Sequence, residues 1–256
     1  MVAGKAEKAM KFTYESYAGM LKCLKNAKYQ FTDYSIWKNT EKTVILRHDV
    51  DYSLQKAVVM SEIEKELCVH ATYFILLSTN FYNIYSLSSR KCIERIMENG
   101  GKIGLHFDEM QYNIKTGEEL KEYVQREAEL LSEITGRKVD VVSMHRPSEK
   151  FLAGNIEFEN LTNSYSKTYF KEMKYLSDSR RHWREDIDGI IRQGAYKRLH
   201  ILVHPFWYFA GAEKDLKQTL REAVLHASLE YYDNFGENFK NLADEMERGE
   251  IERWMA

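Results

Sequence analysis

The stretch Thr43-Val44-Ile45-Leu46-Arg47-His48-Asp49-Val50-Asp51 decides the fold. It opens with a β-branched and apolar run, the pattern of a strand buried on both faces of a parallel sheet. It then turns abruptly into charged and imidazole side chains. The same switch recurs downstream. Ala71-Thr72-Tyr73-Phe74-Ile75-Leu76-Leu77 predicts a second strand. Lys102-Ile103-Gly104-Leu105-His106-Phe107 predicts a third, with His106 to Glu109 at its end. Residues 139–144 form a fourth, ending in His145-Arg146-Pro147, and 199–203 a late one, ending in His204-Pro205. Shorter strand candidates lie near residues 167–170 and 175–177.

Helical patterns alternate with these runs. Ser53 can cap a helix reaching about Leu67, with Leu54, Ala57, Val58 and Ile63 as its buried stripe. A helix over 89–98 is closed by Gly100-Gly101. Thr116-Gly117-Glu118-Glu119 is a capping box opening a long helix that Gly136 ends. Residues 8–27 read as an amphipathic helix, and everything from about Ala212 as helical and charged. Strands alternating with helices imply right-handed crossovers and a parallel sheet. The expectation is an α/β fold: a barrel or incomplete barrel of about seven strands over about 43–211 with a C-terminal helical extension, 212–256, packed on it. No repeat or Pro/Gly-rich linker marks a boundary, so 1–256 is expected to form a single domain.

Composition excludes several classes. Of 256 residues, 44% are hydrophobic, which is ample for a core. Thirty-seven basic residues balance 39 acidic ones, so no basic nucleic-acid footprint is expected. No apolar stretch is long enough to span a membrane. The opening Met1-Val2-Ala3-Gly4-Lys5-Ala6-Glu7-Lys8 lacks the apolar run of a secretion signal, so a cytoplasmic location is expected. Three cysteines without CxxC spacing suit a reducing compartment. The oligomeric state is not legible.

In parallel α/β folds the C-terminal strand ends share one rim, and active sites form there. Four of the eight histidines (His48, His106, His145 and His204) fall at expected strand ends, joined by Asp49, Asp51 and Asp108. Either one of Asp49 and Asp51 faces the centre, or a loop turns both inward. Such a cluster suits a divalent metal, zinc above all, with an open position for a reactive water. His70, His182, His200 and His226 read as structural, with His200 facing away from His204 or lower on the strand. Trp207 offers a sugar-stacking wall or simple packing. Asp178, Arg184 and Glu185 lie where they can orient His204 or grip a substrate, and Arg47 is a further substrate-binding candidate.

At these residues the chain resembles the polysaccharide deacetylase (NodB-homology, carbohydrate esterase family four) superfamily, over about 43–208. Leu46-Arg47-His48-Asp49-Val50-Asp51 is similar to its first motif, Ile103-Gly104-Leu105-His106 to its second, Arg146-Pro147 to its third and Leu199-His200-Ile201-Leu202-Val203-His204 to its last, in the same order. The resemblance implies a distorted or incomplete (β/α)7 barrel and metal-dependent removal of an N-acyl or O-acyl group, N-acetyl foremost, from a sugar, sugar nucleotide or glycan. It implies Asp49 as general base, Arg146 as the residue orienting it, His204 as general acid, and Asp51 and His106 as metal ligands. The family's second histidine, four residues after the first, is Met110 here, and a thioether is a poor zinc ligand. His145 is then the first candidate for the third ligand and Asp108 the second. The chain looks closest to a divergent cytoplasmic branch associated with bacterial surface-glycan biosynthesis. The alternatives are a catalytically inactive carbohydrate-binding module, which Met110 favours, and a metal hydrolase of another amide or a phosphoester.

Overall fold

A computed structural model describes residues 10–255. The chain divides after Gly211 into two compact units. The first carries a parallel sheet in the order β6-β5-β4-β3-β2-β8-β7. Its strands are β1 (Gln30–Thr32), β2 (Thr43–Val50), β3 (Thr72–Leu76), β4 (Lys102–Phe107), β5 (Val141–Met144), β6 (Thr162–Asn163), β7 (Lys174–Ser177) and β8 (Arg198–Val203). β2 lies at the centre and is buried along all eight residues. On one side it pairs with β8 from Thr43↔Arg198 to His48↔Val203. On the other, β1 pairs with its first three residues and β3 with Arg47 to Val50. Among the described residues no ladder joins β6 to β7, so the barrel stays open there.

The helices are α1 (Tyr14–Asn26), α2 (Leu54–Glu66), α3 (Leu87–Glu98), α4 (Gly117–Thr135), α5 (Glu149–Gly154) and α6 (Ile187–Gln193). The caps of α2 and α4 are those the sequence announces, while α3 starts two residues earlier than expected, capped by Ser86. The Ser53 hydroxyl accepts from Lys56 N–H, and Thr116 and Glu119 form the reciprocal capping box. Gly136 ends α4 at φ 63°, a left-handed position that glycine takes without strain. The first helix starts at Tyr14 because Thr13 caps it. Its expected start at residue 8, like the reading of the first eight residues, lies outside the described residues.

Two layers of core fill the first unit. The larger lies between sheet and helices. The smaller forms the floor inside the curled sheet: Tyr34, Trp37, Ile45, Phe74, Val141, Tyr169 and Met173. Gly104 faces that floor, and a Cβ there would sit 2.7 Å from the Phe74 ring. Only glycine lets β4 approach closely enough to present His106 one step higher on the same face. β1 and β6 are too short for hydropathy to reveal. Residues 167–170, expected as a strand, instead form a π-helical turn, Thr168–Glu172. A strand would send Tyr169 and Phe170 to opposite faces. The turn brings both rings against His200, at 5.9 and 6.0 Å between centroids.

The second unit is helical: α7 (Leu216–Gly236), α8 (Leu242–Glu245) and α9 (Arg248–Met255). Asp215 and Gln218 form a capping box at the start of α7, and Arg248 pairs with Asp233 at 3.0 Å.

Candidate metal centre and its acid-base partners

Side chains two apart on a strand share a face. On β2 this places Arg47, Asp49 and Asp51 together on the inner face, with no loop needed to turn the carboxylates inward. His48 points the other way. Of the four histidines expected at one rim, it alone leaves the site. It is fully buried behind the sheet, with Nε2 2.6 Å from Glu64 Oε1 and its ring stacked on Tyr73.

The inner face meets the ends of β4, β5 and β8. His106 Nε2 lies 3.2 Å from Asp51 Oδ1, and His145 Nδ1 lies 3.3 Å from the same oxygen. Asp51, His106 and His145 each offer one donor atom, all within 4.8 Å of one another. Their chemistry fits a divalent cation. His106 Nδ1 lies 3.3 Å from the Ser143 carbonyl, which can only accept, so that nitrogen carries the proton and Nε2 turns its lone pair inward. Asp51 Oδ1 is buried with no well-directed hydrogen bond, as is Asp49 Oδ1. Burial opposes the Asp51 charge, but the two imidazoles and His204 outweigh it and hold the carboxyl far below the usual range. Met110 is exposed on the turn after β4 and takes no part.

Two ion pairs flank these three residues. Arg47, fully buried, sets Nη2 2.8 Å from Asp49 Oδ2, also donates to Ser143 Oγ (2.8 Å) and Ser164 Oγ (2.9 Å), and lies over the Phe74 and Tyr165 rings. On the opposite flank, His204 Nδ1 lies 2.6 Å from Asp178 Oδ1, and the Asp178 carboxylate also accepts from the His204 backbone N–H. His204 Nε2 faces Asp51 Oδ2 at 3.9 Å. Burial disfavours the imidazolium, yet the Asp178 charge and hydrogen bond, with help from Asp51 and Asp49, push it up to about 9.

Some expected contacts are made by other residues. Arg146, expected beside Asp49, pairs with Asp108, and half of its side chain is exposed. Arg47, expected to meet substrate, is the cation that holds Asp49. Asp108, the second candidate for the third ligand, is thereby tied to Arg146, Gln111 and Met110 N–H. Asp178 stands behind His204. Arg184 is exposed, and Glu185 pairs with Lys174. His200 shares the inner face but sits lower, 2.8 Å from the Tyr34 hydroxyl, where burial and Arg47 hold its imidazole well below its ordinary value. Trp207 is half-buried at the rim, 5.0 Å from Phe206 between ring centroids. Ser143 and Ser164 went unread, because a lone serine in a strand carries no pattern.

Fold and site together define an open, parallel (β/α)7-type barrel with a His/Asp cluster at the C-terminal ends of its strands. No protein-family model matches the chain, and no curated protein sequence matches it. Among solved structures it is similar to a mutant of BA3943, a CE4 family pseudoenzyme with restored enzymatic activity, from Bacillus anthracis. Identity there is 17% and TM-score 0.43, covering 65% of this chain and 57% of that one, so the chain spans less than two thirds of that relative. It is also similar to the peptidoglycan deacetylase PdaC from Bacillus subtilis (15% identity, TM-score 0.41, 65% and 76% covered). A third is the Streptococcus pyogenes deacetylase PplD in complex with acetate (13%, 0.43, 74% and 80%).

Proposed function

We propose that the protein is a metal-dependent carbohydrate deacetylase of the polysaccharide deacetylase superfamily. It removes an N-acyl group, acetyl in the first instance, from a sugar, sugar nucleotide or glycan in surface-polysaccharide biosynthesis. The observation that carries this reading is the convergence of Asp51, His106 and His145 between a carboxylate held by arginine and an imidazole held by aspartate. Asp51, His106 and His145 would hold the cation, zinc being the natural match to this donor set. Once bound, such a cation polarises water and the acyl carbonyl. Asp49 accepts the proton of the attacking water at Oδ1, while Arg47 fixes its Oδ2. His204 gives a proton to the departing nitrogen, which an amide requires because its anion leaves poorly. Asp178 keeps that imidazole charged and aimed through Nε2. Among the described residues no helix is long and apolar enough to cross a membrane.

The test is reconstitution of chelator-stripped protein with Zn²⁺, followed by acetate release from a panel of N-acetylated sugars, sugar nucleotides and oligosaccharides. Release that depends on zinc and vanishes in Asp49→Asn supports the reading. Protein that binds one metal yet frees no acetate from any of them would return it to a carbohydrate-binding module.

A further inference from the structure

His145 stands on a different footing from the other two candidate ligands. Asp51 directly follows β2, and His106 lies inside β4, paired with Ser143 of β5. His145 lies beyond the last paired residues of that ladder, Phe107 and Met144, in a loop that runs through Pro147 into α5. The Ser143 carbonyl fixes the His106 ring from behind. Among the described residues, no hydrogen bond does the same for the outward nitrogen of His145. The placement of its ring therefore depends on where its backbone is held. That backbone is tied repeatedly to the end of β4. His145 N–H donates to the Phe107 carbonyl (2.8 Å). The Arg146 guanidinium donates to both oxygens of Asp108, Nε to Oδ1 at 3.2 Å. Ser148 donates to both oxygens of Glu109, through its backbone N–H and, at 3.3 Å, its hydroxyl. Asp108 is itself a fixed post: it is buried, with Met110 N–H on Oδ1 (3.2 Å) and Gln111 Nε2 on Oδ2 (3.3 Å).

We propose that Asp108 and Arg146 are positioning residues for the cation: the pair stitches the His145 loop to the end of β4 and so sets His145 against Asp51 and His106. The inference rests on the metal-centre reading given above. A planar guanidinium gripped on both carboxylate oxygens fixes orientation as well as distance. Asp108 lies two residues after His106 and Arg146 one residue after His145, so the grip links the two histidines through their own strand ends. Their rings stand 5.1 Å apart between centroids, at 79° to one another. The two arginines near the rim then serve different parts of the chemistry: Arg47 holds the base and Arg146 holds the ligand set.

The experiment titrates chelator-stripped protein with Zn²⁺ against a competing indicator, in the natural sequence, Arg146→Ala, Arg146→Lys, Asp108→Asn and the Arg146→Ala/Asp108→Asn double variant. Arg146→Ala should weaken zinc binding by roughly 10–100-fold, the usual cost of removing a group that orients a ligand. The urea midpoint of the metal-free protein should barely move, because an ion pair with a half-exposed partner adds little to stability. Arg146→Lys keeps the charge without the two-pronged grip and should fall between Arg146→Ala and the natural sequence. The double variant should bind little more weakly than either single one, since both cut the same tie. Unchanged zinc affinity in Arg146→Ala overturns the stitch while leaving the metal centre standing. Tighter binding in that variant overturns it too, because Arg146 would then be withholding Asp108 from the cation. Additive losses in the double variant assign the two residues separate roles and overturn the pair. Natural-sequence protein that takes up no zinc overturns both the stitch and the centre.

Discussion

The outer face of β2 carries His48 and the inner face carries Asp49 and Asp51, and each builds a buried cluster of imidazole and carboxylate. Behind the sheet, Glu64 receives Tyr17 Oη at 2.5 Å, His48 Nε2 at 2.6 Å and Tyr73 Oη at 2.7 Å. Both oxygens of that carboxylate are occupied. In front, Asp51 Oδ1 and Asp49 Oδ1 are equally buried but have no well-directed partner, although two imidazole nitrogens lie within 3.3 Å of the first. The same residue types, one position apart on one strand, thus give a closed knot tying α1, α2, β2 and β3 together and a second cluster whose carboxylate oxygens Asp51 Oδ1 and Asp49 Oδ1 make no well-directed hydrogen bond to the protein. Burial does not separate the two; hydrogen-bond satisfaction does, because a buried polar group left unpaired is expensive unless something else satisfies it.

The widest contrast is expected from emptying each cluster in turn. Asp51→Ala and His106→Ala should release the metal and lower turnover by roughly 10³ or more, the several kcal/mol a bound cation supplies, with little change in urea midpoint. Glu64→Ala strands three buried donors and should cost about 3–5 kcal/mol of stability by denaturant titration, while the folded fraction keeps its metal. Next in size, His204→Ala should cut kcat by roughly 10²–10⁴ with metal content unchanged. Metal loss in that variant would make His204 a ligand rather than an acid.

The pH profile sharpens the contrast further. A raised imidazole pKa means the acid form dominates below that value and is lost above it. Activity should therefore fall as pH rises through about 9, or somewhat lower once a cation sits nearby. Asp178→Asn removes the charge supporting the imidazolium and should move this alkaline limb toward neutral pH. The smallest effect is expected from Met110→His. Restoring the histidine of the resembled motif on an exposed turn should change zinc affinity little under the proposal that His145 is the third ligand.

Much of this was legible in the residues. Apolar runs ending in His or Asp located the rim, and strands alternating with helices pointed to the incomplete barrel. The candidate set Asp51, His106 and His145 comes from the family resemblance, and Asp178 is one of three residues before the last motif that read as orienting His204 or gripping substrate. What failed to come through has physical causes. Period-two alternation sends His48 away from its neighbours, and a count of strand-end histidines overlooks it. Arg47 and Arg146 are both arginines near the rim, and only the fold shows that one is buried two positions from Asp49 while the other swings out to Asp108. β1 and β6 have three and two residues, below the length at which hydropathy speaks. The ties between residues 107–109 and 145–148 join two strand ends that no local pattern connects.

The most direct test of the central claim is zinc stoichiometry, by mass spectrometry of stripped and reloaded protein, across four single variants. One equivalent is expected in the natural sequence, none in Asp51→Asn, His106→Gln or His145→Gln, and one in His48→Gln. A natural protein that takes up no zinc, or a His145→Gln protein that keeps its full equivalent, would contradict the account.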